Sequence, residues 1–138
     1  MRERRRYVRH PVSIPIEFEI ISYKDINLAE ARNISTGGIC FISESAPNIN
    51  SEVLIIIKPF DPPFKLKGKV VWVKEISKNK KMIGVSFMSH AEWFRARMVE
   101  QICHIEAWRR KEEKRGRALS FEQAAQEWIK RAAYHFPY

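Results

Sequence analysis

Two short groups of residues in this chain carry side chains suited to holding an anion. The first is the opening segment "RERRRYVRH", which places Arg2, Arg4, Arg5, Arg6 and Arg9 within nine positions. Arg5 and Arg9 stand four apart, and Arg4 and Arg6 flank Arg5. An extended or loosely helical segment of this kind can offer guanidinium groups to one anion from several directions. A guanidinium keeps its charge, makes paired donor contacts to phosphate, reads the O6 and N7 edge of guanine and stacks on a base plane, whereas lysine shares only the charge. The chemistry suits guanine nucleotides, although composition alone is satisfied equally by a solvated basic chain end.

The second group lies in "RNISTGGICF". Asn33 and Ser35 have side chains that bond to nearby backbone, and Gly37 and Gly38 permit a tight turn or a close backbone approach before Ile39 and Phe41 resume a strand. Read alone, the segment is either an ordinary turn or the rim of a ligand site. It is too short for a phosphate-binding P-loop and lacks the lysine of one.

Other chemistries find no support. His10, His90, His104 and His135 do not form a metal-ligand spacing with the two cysteines, and the scattered carboxylates give no arrangement of nucleophile, base and oxyanion donor. No catalytic residue, metal site or cofactor is therefore expected. Cys40 falls in an apolar strand-like run and Cys103 in a helical one, so both are expected as buried free thiols. The formal charge of +9, from 25 basic and 16 acidic residues, calls for anionic partners without naming them. No run approaches the roughly 18 apolar residues of a membrane span, and the arginine-rich start lacks the apolar stretch of a signal peptide. A cytoplasmic protein without membrane insertion is the expectation.

The elements that must position these groups are mainly strands. In "PVSIPIEFEI" the residues Val12, Ile14, Ile16, Phe18 and Ile20 recur at every second position, the period of a half-buried strand, and Pro15 marks an edge or early strand. "SYKDIN" reads as a turn before "LAEARNI", and "ICFIS" follows the glycine pair. "EVLIIIKPF" and "FKLKGKVVWVKEI" flank "DPP", and "SKNKK" turns into "MIGVSF". In this alternation Trp72 falls in phase with Leu66, Gly68 and Val70, as a core or scaffold residue rather than a platform for a base. Six short strands at this spacing favour a small antiparallel barrel, whose closure removes exposed edges.

From Ser89 the period changes. "SHAE" fits a capping box with Glu92, and Met88 is placed to meet Trp93 as a hydrophobic staple. Phe94, Met98, Ile102, Ile105 and Trp108 form a helical stripe that ends near Gly116. A second helix starts at Ser120 with Gln123 at the box position and carries Phe121, Ala124, Ala125, Trp128 and Ala132 on one face. Either these helices cover the barrel or they build a homodimer contact. The organisation is thus a barrel with an arginine arm over residues 1–88 and a two-helix extension over residues 89–138.

The pairing of the two anion-suited groups resembles the PilZ domain family of bacterial cyclic di-GMP receptors. That family joins an Arg-x-x-x-Arg motif ahead of the first barrel strand to a later Asp/Asn-x-Ser-x-x-Gly motif at a strand connection. Here Arg5 and Arg9 fit the first, and Asn33, Ser35 and Gly38 fit the second. The likeness covers about residues 3 to 88, including the late strands "VVWV" and "IGVSF". It implies a six-stranded antiparallel β-barrel and a receptor in place of an enzyme. By position, Arg5 and Arg9 are expected on phosphate and guanine, Asn33 and Ser35 on a guanine, and Gly38 where backbone approaches the ligand. Arg4, Arg6, Arg32 and Gly37 are further candidates. One or two ligand molecules per site are both consistent with the family. The arm is expected to order on binding and so to alter a surface used by a downstream protein. Two other readings remain open: a ligand-independent adaptor on the same fold, and a small basic barrel that binds RNA or other nucleic acid.

Overall fold

The computed structural model describes residues 9–21, 25–60, 62–88 and 90–135, and for Asp25 and residues 132–135 the backbone alone. Expectations placed on Arg2, Arg4, Arg5, Arg6, Ser89 and the side chain of Ala132, and on ordering of the arm before Arg9, lie outside the described residues.

Six strands, β1 (His10–Ile20), β2 (Asp25–Ile34), β3 (Gly38–Ser43), β4 (Glu52–Ile57), β5 (Phe64–Ser77) and β6 (Lys80–Met88), close into an antiparallel barrel in the order β1-β2-β3-β6-β5-β4. The alternation seen in β1 is real burial: Val12, Ile14, Ile16 and Phe18 point into the core while Ser13 and Pro15 face out. Pro15 sits where β1 pairs only with β2, because β4 joins from Glu17 onward. It therefore occupies a stretch open on one side, where a missing N–H is tolerated. The interior is filled by Phe18, Phe41, Ile34, Ile55, Leu66, Ile83 and their neighbours, with Phe18 and Phe41 rings 4.9 Å apart. β2 is longer than its sequence suggested, starting at Asp25 within the segment read as a turn, because pairing with β1 through Ile20 extends it.

Two helices follow, α1 (Glu92–Lys114) and α2 (Phe121–His135). Met98, Ile102, Ile105 and Trp108 of the expected α1 stripe are buried in the same apolar cluster as the barrel, with Phe94 half-buried against it, together with Phe121, Ala124 and Ala125 of α2. The helices therefore pack on each other and on β1 within one chain. Ser120 and Gln123 form the reciprocal capping box, with Gln123 N–H donating to Ser120 Oγ at 3.1 Å and Ser120 N–H to Gln123 Oε1 at 2.9 Å. Gly116 ends α1 in the left-handed region at φ 88°.

The start of α1 differs from the sequence expectation. The cap residue is Ala91, without a side-chain cap hydrogen bond, and Trp93 is exposed instead of stapled. The ring of His90 stacks on Phe94 at 5.2 Å, and Phe94 meets Phe64 edge-on at 6.0 Å. This aromatic contact with the first residue of β5 braces the entry of the chain into α1. Both cysteines are free, Cys40 buried and Cys103 only half-buried. No helix among the described residues is long and apolar enough to cross a membrane.

Candidate functional site

Asn33 and Trp72 face the outside of the barrel, and a bulge in the strand of each puts it there. β2 carries one extra residue, Arg32, between the partners Ala31 and Asn33 of β3. Ala31 and Ile34 both point inward, so Asn33 faces out. β5 carries an extra Val71 against β6. Beyond it the phase of the strand reverses: Val70 and Val73 face the core, and Trp72 turns outward. A bulge re-aims the side chains that follow it.

The result is a row of four register partners across four strands: Asn33 pairs with Cys40, Cys40 with Gly84, and Gly84 with Trp72. The sequence expectation of Trp72 as a core residue is corrected here, since the indole is half-buried and stands outside the core cluster. A Cβ on Gly84 would collide with Cε2 and Nε1 of that indole, so glycine is what lets the ring lie flat over β6. Gly38 has a comparable constraint, because a Cβ there would strike the Val85 carbonyl of the neighbouring strand.

Ser35 shapes the end of the row. Its N–H donates to the Gly38 carbonyl at 2.9 Å, and its hydroxyl oxygen accepts from Gly37 N–H at 3.1 Å. The Gly37 carbonyl accepts from Phe87 N–H at 2.9 Å, which ties the turn to β6. The hydroxyl is thus held in a hydroxyl-backbone turn while keeping its own hydrogen as a donor. Arg9 immediately precedes β1, whose pairing of His10 with Ile34 brings it beside this turn.

Together Arg9, Asn33, Ser35, Gly37, Gly38 and Trp72 line a cleft of about 270 Å³, with Cys40, Gly84 and Ser86 in its floor. Of the residues expected from sequence, the described ones meet in this cleft except Arg32. Arg32 is exposed, pairs with Glu30 at 3.7 Å and lines a separate groove. Cys40 was not anticipated in the site. Burial pushes its thiol above the ordinary range, and the positive charges of Arg9 and Arg32 offset this in part. Among the described residues no cluster of three or more His, Cys, Asp or Glu side chains is placed to hold a metal ion.

The chain is similar in fold to known proteins. No curated protein sequence matches the chain. Among solved structures, the PilZ domain with c-di-GMP of YcgR from Escherichia coli superposes with a TM-score of 0.62 at 17% identity, over 83% of this chain and 99% of that one. The K. pneumonia MrkH–c-di-GMP complex gives 0.60 at 16% identity, over 83% and 56%. The Bacillus subtilis inhibitor of motility, MotI/DgrA, gives 0.57 at 17%, over 74% and 50%. The chain spans about half the length of the latter two. At such identities the likeness is one of fold. The sequence model described as PilZ domain, in contrast, matches residues 3–102. That match runs through all six strands, across both motifs and into α1, and by it this chain belongs to the PilZ domain family.

Proposed function

We propose that this protein is a non-enzymatic receptor for cyclic di-GMP, with the ligand held in the cleft on the outer face of β2, β3, β6 and β5. The observation that carries the reading is the convergence of Arg9, Asn33, Ser35, Gly37 and Gly38 on one cleft with an indole in its wall. Each supplies what a guanine dinucleotide needs. Arg9, joined by Arg5 and by Arg4 or Arg6 from the arm, binds phosphate and the guanine O6 and N7 edge. The Asn33 amide offers both donor and acceptor to a base edge, Ser35 adds a hydroxyl, and the glycine turn lets backbone approach. The indole of Trp72 gives a base a face to stack on.

The YcgR and MrkH structures contain c-di-GMP by description, which supports the same ligand here. The net charge of +9 favours a dianion and, still more, a stacked pair. Phe18, Phe41 and Phe87 are buried in the barrel rather than displayed for stacking, which weighs against a nucleic-acid platform. Binding would order the arm over the cleft, and the changed surface would be read by a downstream protein. Isothermal titration of the full-length protein with c-di-GMP tests this. Saturable binding with a stoichiometry of one or two supports the receptor, and no heat from folded protein refutes it.

A further inference from the structure

A second groove, about 800 Å³ in volume, lies on the same outer face and differs in chemistry from the cleft. Its wall on β2 carries Ile26 and Leu28, exposed by 62% and 78%. Its floor includes half-buried Ile42 of β3. The turn between β5 and β6, "SKNKK", overhangs it with Lys78 and Lys80, which make no ion pair among the described residues. The acidic residues of the groove are partly engaged already: Glu30 accepts from Ser13 Oγ at 2.9 Å and pairs with Arg32, leaving Glu44 as the other carboxylate.

Contiguous exposed apolar side chains with a charged rim mark an interaction surface. Lys78 and Lys80 beside the apolar wall, on a chain of charge +9, select an acidic occupant. The groove also adjoins the cleft. The row Glu30–Ile42–Met82–Lys74 is the next outward row after Asn33–Cys40–Gly84–Trp72, about 7 Å away along the strands.

We infer that this groove docks an acidic segment of a partner protein, whose apolar side chains cover Ile26 and Leu28 and whose carboxylates meet Lys78 and Lys80. The groove names the surface through which the proposed receptor would signal, and only ligand dependence of docking rests on that reading.

Peptides selected on the full-length protein from a random phage-displayed library provide the test. Enriched peptides should combine Asp or Glu with large apolar residues. Synthetic copies should bind at least about tenfold more weakly to Leu28→Ser and to the double variant Lys78→Glu, Lys80→Glu, as removal of an apolar anchor or a charge partner demands. Both variants should keep the wild-type melting profile and c-di-GMP titration, since these side chains lie outside the core and the cleft. Neutral or basic peptides, equal binding to the variants, or no enrichment overturns the inference. So does a dimer in light scattering that Leu28→Ser dissociates, or nucleic-acid binding lost with Lys78 and Lys80. Peptide binding by a protein that ignores c-di-GMP refutes the receptor alone, and c-di-GMP binding without peptides refutes the groove alone.

Discussion

Trp72 of β5 and Gly84 of β6 are register partners on the outside of the barrel, and the indole occupies the space a side chain at 84 would need. The ring therefore owes its place in the cleft to a bulge on its own strand and a missing Cβ on the next. Trp72→Ala is expected to change stability by less than about 1 kcal/mol, because the ring lies outside the core. It should weaken c-di-GMP binding by about 1–3 kcal/mol, the range of base stacking on an aromatic side chain. Gly84→Ala should displace the ring and reproduce much of that loss with Trp72 still present. Calorimetric titration beside thermal denaturation separates the two effects.

Cys40 should report occupancy of the cleft. Its thiol is buried and its ionisation is pushed above the usual thiol range, so labelling by iodoacetamide should be slow at neutral pH and rise only well into alkaline solution. Cys103 is half-buried and also raised, by burial and then by Glu106. A Cys103→Ser protein isolates the Cys40 rate. Saturating c-di-GMP should slow it further, because Cys40 lies between Asn33 and Gly84 on the cleft floor. An unchanged rate would place the ligand elsewhere.

The α1–α2 contact should weaken in acid. Glu127 of α2 accepts from Arg117 at 2.6 and 3.1 Å and from Trp108 Nε1 at 3.2 Å. The bonds from Arg117 hold its carboxyl below the ordinary value, with Trp108 adding to the effect. A depressed folded-state value means that the contribution is present above the unfolded carboxylate range and is lost as pH falls through the folded value. The pair is exposed, so the effect is small. Glu127→Gln should lower the melting temperature slightly at pH 7, and the two proteins should converge as the pH falls below the carboxylate range.

Much of the fold is legible because period-two alternation marks the core side of a strand directly, as in β1, where every inward residue could be named from sequence. The same logic misplaces Trp72. A bulge inserts one residue, and in "VVWV" all four residues are apolar, so nothing in the pattern shows where the phase reverses. Asn33 escaped this error because its motif, not its phase, singled it out. Arg32 is the opposite case: as the extra residue of the β2 bulge it stands beside the motif in sequence but opens onto the neighbouring groove. The start of α1 is not legible in the same way: its cap is Ala91, and the stacking of His90 on Phe94 beside it leaves no capping pattern in the sequence.

Arg9 and Arg32 carry the same charge but stand on different sides of the boundary between cleft and groove. Isothermal titration of c-di-GMP into wild type, Arg9→Ala and Arg32→Ala therefore separates a built site from general attraction. Arg9→Ala should lose at least about 2 kcal/mol of binding, since paired contacts and charge vanish together, whereas Arg32→Ala should stay within about 0.5 kcal/mol of wild type. Equal losses in both variants, or full-strength binding by Arg9→Ala, would contradict the account.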